Sequence, residues 1–237
     1  MALINLTYTG TNQEIAELTL NRPEVLNALN MAMLDELTSS LAPLQQLERG
    51  IQVLIIRGAG ERAFSAGADL KERAGMTLDQ TRDFLVKINH VFDLIANLPI
   101  PTIAHINGFA FGGGLELALA CDMRVMAPHA QTGLTECALG IIPGAGGTSR
   151  LPSIIGYAKA CELIFSAKRI GAEEALKIGL VNQTEDSALE LASKIALCSL
   201  TSLKAAKEAM KTGEVARCYE QVLNSPERLE ALKVFTS

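Results

Sequence analysis

The stretch Pro101–Val125, PTIAHINGFAFGGGLELALACDMRV, decides most of the fold. Thr102 to Ile106 is a short apolar run behind two prolines, Pro99 and Pro101, and reads as a buried strand. Asn107-Gly108 is a turn, and Gly112-Gly113-Gly114 opens a short helix that runs through Ala120. Met123 to Ala127 is the next strand. Strand, turn, helix and strand in close succession make an α/β segment with its helix laid on a sheet.

Outward from this segment the pattern continues. Leu78 to Leu98 carries Phe84, Leu85, Ile88, Val91, Phe92 and Ile95 at helical intervals, with Thr77 and Gln80 at capping-box spacing. Three apolar runs nearer the start, Leu3 to Tyr8, Ile15 to Leu20 and Val53 to Arg57, read as strands. A helix from Met31 to Leu47 lies between the last two, N-capped by Asn30 and expected to bend or end at Pro43. On the other side a helical turn spans Leu134 to Leu139, followed by the glycine-rich bend Pro143–Gly147. Beyond Arg150 the chain turns helical, with helices expected at 157–166, 172–178, 188–198, 202–210 and 227–234 and one short strand near Leu180.

Composition narrows the class. A chain of 237 residues, 49% apolar and 20% charged, suits one large domain or one with a small appendage and excludes disorder as the main state. No run approaches the roughly 20 apolar residues of a membrane helix. The start, MALINLTYTGTNQE, has neither the basic n-region and apolar core of a secretory signal nor the Arg-rich character of a transit peptide, so a cytoplasmic location is expected. A net charge of −5 argues against a broad nucleic-acid footprint. The five cysteines are scattered and read as reduced packing residues, and with no CxxC pair and no metal-ligand spacing among the three histidines no metal site is expected.

Two carboxylates stand where carboxylates are expensive. Glu116 is the single charged side chain in FAFGGGLELALAC, and Glu136 is the single acid between Arg124 and Arg150. A buried carboxylate finds donors, shifts its pKa or lines a wetted cleft. Taken alone, each reads as a cap or an ion-pair partner; together they suggest an acid/base pair facing one cleft. Gly112–Gly114 lets a ligand approach the backbone at a helix start with free N–H groups, and the loop Ser65–Asp69 offers a second set of small-residue amides. Two N–H groups from separate segments are what a developing thioester enolate or tetrahedral oxygen requires. The competing motifs fail: Gly144-Ala145-Gly146-Gly147 lacks the GxGxxG spacing, no Walker ending exists, and Ser65 and Ser149 lack a nucleophile elbow. Asp122 and Arg124 read as a structural ion pair, His105 as a packed residue, and Asp69 as a helix cap or loop anchor. Lys71 is the best placed of the bases Arg22, Arg62, Lys71 and Arg73 to meet a phosphate.

These residues, AFSAGADLKERA at 63–74, PTIAHINGFAFGGGLELALACDMRV at 101–125 and TGLTECALGIIPGAGGTSRLP at 132–152, resemble the enoyl-CoA hydratase/isomerase (crotonase) family. Three motifs in order, extending from NRPEVLNALN to about Asn182, make the resemblance specific. AGADLKERA, GGGLELALACD and ELIFSA are most similar to the methylglutaconyl-CoA hydratase branch. The resemblance implies a spiral of ββα turns with two nearly perpendicular sheets over residues 1–182 and a shortened helical region used for trimerisation over 183–237. It places the oxyanion hole at the backbone N–H groups of Ala68 and Gly113 and makes Glu116 and Glu136 the catalytic acids. CoA contacts fall at Ala66, Asp69, Leu70 and Lys71. The implied partner is an acyl-CoA, with no cofactor beyond the CoA of the substrate, and the implied assembly is a homotrimer or a hexamer of two trimers. Glu24 stands where relatives often have a lysine, and PERLEALKVFTS is similar to the last family helix without the basic, Pro-containing tail.

Reversible hydration of a trans-2-enoyl-CoA, a hydro-lyase reaction, is therefore the expected activity, with double-bond isomerisation as the alternative. RNA binding, which the resembled branch can perform through a lysine-rich helix, is disfavoured because NMAMLDELTSSLAPLQQLE contains no Lys or Arg. A catalytically idle subunit is the remaining alternative, suggested only by the shortened tail.

Overall fold

In the computed structural model, which describes residues 2–46 and 50–236, β1 (Ile4–Thr9) and β2 (Ile15–Leu20) form an antiparallel hairpin. Helix α1 (Met31–Gln46) packs on β1. The chain then repeats one unit three times: a strand for a large sheet, a strand for a small sheet, and helix. β3 (Val53–Gly58) and β4 (Ala63–Ser65) lead to α2 (Leu70–Ala74) and α3 (Leu78–Ala96). β5 (Thr102–Ile106) and β6 (Phe109–Phe111) lead to α4 (Gly113–Ala120). β7 (Met123–Met126) and β8 (Gln131–Gly133) lead to a 3-10 turn (Glu136–Leu139) and α5 (Gly147–Ile155). After α6 (Tyr157–Phe165) come β9 (Ile170–Gly171), α7 (Ala172–Lys177) and β10 (Gln183–Thr184). Four helices end the chain: α8 (Leu189–Ala196), α9 (Leu200–Thr212), α10 (Val215–Leu223) and α11 (Pro226–Thr236).

The large sheet has the order β1-β2-β3-β5-β7-β10 and is parallel from β2 onward; the small one has the order β4-β6-β8-β9. Parallel central strands bury both faces, which is why VLIIRG and TIAHI are nearly unbroken apolar runs. The alternation of side chains then sorts them. Leu54, Ile56, Ala104 and Ile106 enter the main core with α1, α3 and α4, while Val53, Ile55, Ile103 and Val125 face a second cluster closed by Ala188 and Ala192.

Two elements differ from the sequence expectation, and the capping box agrees with it. α1 continues past Pro43, because Leu41 and Leu44 on either side are both buried and hold that turn by packing; Leu47 lies outside the described residues. Leu180 is a buried turn residue rather than a strand, and pairing begins at Gln183. Thr77 and Gln80 form the full capping box.

The expected Asp122–Arg124 ion pair does not form. Arg124 instead points its guanidinium at the carbonyls of Leu180, beyond α7, and of Cys121 and Ala118, at the C-terminus of α4, at 2.7, 2.9 and 3.2 Å. Asp122 Oδ2 accepts from the Thr102 amide and hydroxyl and from Lys207 Nζ of α9 at 2.6 Å, and Lys207 also donates to the Ile100 carbonyl. This pins the helical tail to the sheet. The lysine side chain is 7% exposed and the aspartate 29%. Removing the acid therefore strands a buried ammonium, whereas removing the lysine leaves a wetter carboxylate still bonded to Thr102. We expect Asp122→Ala to destabilise the fold by about 3 kcal/mol, and by more than Lys207→Met, as measured by the urea midpoint of unfolding.

Candidate active site

The site exists because two backbones touch. A methyl group at Gly114, in the first turn of α4, would overlap the carbonyl oxygen of Ser65, so only glycine lets the helix start press against the end of β4. Gly67 takes a φ of +92° in the loop after β4, and a Cβ there would stand 3.0 Å from the Gly113 nitrogen. Ala68 follows, its nitrogen 3.4 Å from where a Gly113 side chain would begin. The two amides thus lie side by side.

The loop is fixed from behind. Ser65 Oγ donates to the Asn27 carbonyl and accepts from the Gly67 amide. Leu29 pairs with Ala68 as a parallel bridge through Leu29 N to Gly67 O at 2.8 Å and Asp69 N to Leu29 O at 2.9 Å. That bridge engages the atoms flanking Ala68 and leaves its own N–H turned the other way. Gly113 is the first residue of α4, so its N–H is one of the donors a helix start cannot satisfy internally.

Glu116 sits one turn into α4 and is 3% exposed. Its Oε1 accepts from the amides of Ala145 and Gly147, both at 2.8 Å. Burial pushes its pKa up, against the pull of those two amides and of the Arg150 guanidinium. Glu136 opens the 3-10 turn, and its carboxylate stands over Gly112, where a Cβ would be 3.0 Å from Oε1. Its Oε2 is buried without a hydrogen-bond partner. Burial, reinforced by the charge of Glu116, pushes Glu136 up to about 7.

Both carboxylates and both amides line one cavity of about 950 Å³. Phe84, Leu85 and Ile88 of α3 form an apolar wall, and Ala66 and Leu70 also reach the lining. Asp69 and Lys71 do not. Asp69 caps α2 through the Lys71 and Glu72 amides and pairs with Arg22 at 3.0 Å, and Lys71 is exposed beside Leu70. His105 lies on the sheet face away from α4, facing Arg57 and Asp186, and burial and the Arg57 charge push its pKa down to about 4. The sequence reading missed Arg169, which lines the cavity over the ring of Phe111, and undervalued Arg73, which lines it over Phe84. No local pattern marks Arg169; it arrives by the pairing of β9 with β8.

A family model described as enoyl-CoA hydratase/isomerase matches residues 10–229. The chain belongs to the enoyl-CoA hydratase/isomerase family. It is 43% identical to methylglutaconyl-CoA hydratase, mitochondrial, from Mus musculus, over 94% of this chain and 77% of that protein. It is 41% identical to the putative enoyl-CoA hydratase/isomerase YngF of Bacillus subtilis, over 98% of this chain and 95% of the relative. A crystal structure of enoyl-CoA hydratase from Bacillus anthracis superposes with a TM-score of 0.95 at 42% identity, covering 99% of this chain and 96% of that one. The fold is therefore the crotonase fold, and the chain is an enzyme of a family that acts on acyl-CoA thioesters. Among the described residues no helix is long and apolar enough to cross a membrane.

The state of Glu136 has a consequence for stability. Its folded pKa lies above the ordinary carboxylate value of 4.5, so the fold favours the neutral acid. The resulting stabilisation is complete below pH 4.5 and is lost as pH rises through about 7. In thermal melts across this window, wild type should lose stability relative to Glu136→Gln, whose neutral amide does not titrate; parallel curves would contradict the assigned environment.

Proposed function

We propose that the chain is a hydro-lyase adding water reversibly across the trans-2 double bond of an enoyl-CoA, with Glu116 and Glu136 as its catalytic residues. The observation that carries this reading is the convergence of both carboxylates and both free amides on one cavity with an apolar wall. In the forward step the oxygen of water bonds to Cβ, and the double-bond electrons move through Cα onto the thioester oxygen. The Ala68 and Gly113 amides hold that oxygen as it gains charge. Glu116, its Oε1 tied by two amides, takes the proton released by the water. Glu136, kept partly protonated near pH 7 by burial, delivers a proton to Cα as the enolate collapses. Water is thereby divided between the two carbons, and one proton passes between the two acids to restore the start.

Ala66 and Leu70 at the cavity edge, with Asp69 and exposed Lys71 beside them, are read as the CoA-binding rim. The reading needs no cofactor beyond the CoA of the substrate. A homotrimer or hexamer is favoured by the large apolar side chains left exposed along the helical tail, Leu197, Met210 and Tyr219 among them. The free thiols suit a reducing compartment, the cytoplasm in this reading.

Hydration of a short trans-2-enoyl-CoA, followed by the loss of conjugated thioester absorbance, tests the assignment. Glu116→Gln and Glu136→Gln should each lower kcat by roughly 10²- to 10⁴-fold with unchanged circular dichroism. Full turnover in both variants would refute it. Formation of a shifted double bond rather than a 3-hydroxy product would identify an isomerase instead.

A further inference from the structure

The turn Ala145–Gly147 that holds Glu116 is itself held. Arg150, on the next turn of α5, donates from Nη1 to the Ala145 carbonyl at 3.1 Å and from Nη2 to Asp93 Oδ1 of α3 at 2.6 Å. Its guanidinium lies across Gly146 so closely that a methyl group there would overlap it, and Gly146 has a φ of +99° besides. One helical turn before Asp93, on the same face of α3, Asn89 Nδ2 donates to the Gly144 carbonyl at 2.8 Å. The carboxylate of Glu116, the turn and the arginine thus form a chain of direct contacts anchored on α3, the helix that also supplies the apolar wall of the cavity.

We propose that Arg150, anchored by Asp93, is a positioning residue for Glu116, setting both the place of its carboxylate and the ease with which it ionises. The proposal rests on the reading of Glu116 as the group that takes the proton of water. The geometry supplies the first half: without the guanidinium the Ala145 carbonyl loses a donor, and the two amides 2.8 Å from Oε1 lose their brace. Charge supplies the second. The groups that act on Glu116 are Glu136 from the 3-10 turn and Arg150 from α5, with Asp93 of α3 behind the arginine; Arg73 and Arg169 line the same cavity but sit over the rings of Phe84 and Phe111. β4 and β6 bring no titratable side chain, and His105 of β5 faces the other side of the sheet. Arg150 is therefore the cation that eases ionisation of Glu116 against its burial, and Asp93 partly neutralises that cation.

The two partners then act with opposite sign on pH dependence, which a purely structural contact would not do. In steady-state hydration of a short enoyl-CoA by the full-length protein, Arg150→Gln should lower kcat on the order of 10- to 100-fold through misplacement of the carboxylate. Its KM should stay within about twofold, since no ground-state contact is lost. The acid limb of its kcat profile should move to higher pH. Arg150→Lys should restore the limb while recovering kcat only in part. Asp93→Asn should move the limb to lower pH with a smaller fall in kcat. Its side chain is 62% exposed, so this variant decides the matter even if Arg150→Gln fails to fold. The proposal is overturned if the limbs of Arg150→Gln and Asp93→Asn stay at the wild-type position, or if KM rises while kcat holds. In either case, inactivity of Glu116→Gln would leave the reading of the site intact. Turnover retained by Glu116→Gln would instead remove that reading and the proposal with it.

Discussion

The close approach of α4 to the end of β4 is the constraint on which the rest of the molecule depends. The helix start can reach Ser65 only where residue 114 has no side chain, and that contact sets the Ala68 and Gly113 amides side by side. The two sheets make this approach possible. Each ββα unit sends one strand to the large sheet and the next to the small one, so the loop after β4 and the helix after β6 are neighbours by pairing rather than by sequence. The 3-10 turn carrying Glu136 arrives by the same rule, one unit later, behind β8.

Local chemistry made part of this readable from the chain. The long strands and α3 follow from unbroken or helical apolar spacing, and the Thr77–Gln80 box marks the start of α3 within a residue. The two carboxylates were legible because a charge in an apolar, glycine-rich run demands an explanation. The strands of the small sheet are only two or three residues long, too short for periodicity to register, so that sheet was foreseen only through family resemblance.

What stayed hidden depends on distance along the chain. Asp122 and Arg124 are two apart on one strand, and the local rule pairs them. The structure instead gives Asp122 a lysine 85 residues away and gives Arg124 the carbonyls at the end of α4 and of Leu180, 56 residues away. Arg169, Asn89 and Asp93 are ordinary surface residues by any local measure. Their importance comes from which loops the two sheets bring to one place.

The two acids of the site are chemically alike, and the fold makes them different. Glu116 has one oxygen gripped by two amides, with a guanidinium behind the turn that carries them. Glu136 has one buried oxygen with no donor at all and the charge of Glu116 nearby. Burial raises both, but at Glu116 the two amides and the guanidinium oppose it, whereas at Glu136 the charge of Glu116 adds to it, so the charge on one helps keep the proton on the other. A reaction that must take a proton from water and give one to carbon needs such a divided pair. The division also accounts for the glycine-rich bend at 143–147, whose small residues free backbone amides to serve Glu116 and leave room for the arginine that braces them. In this reading the glycines at 112–114 serve the substrate oxygen and those at 144–147 serve the base, and neither set binds a nucleotide phosphate as glycine-rich loops elsewhere do.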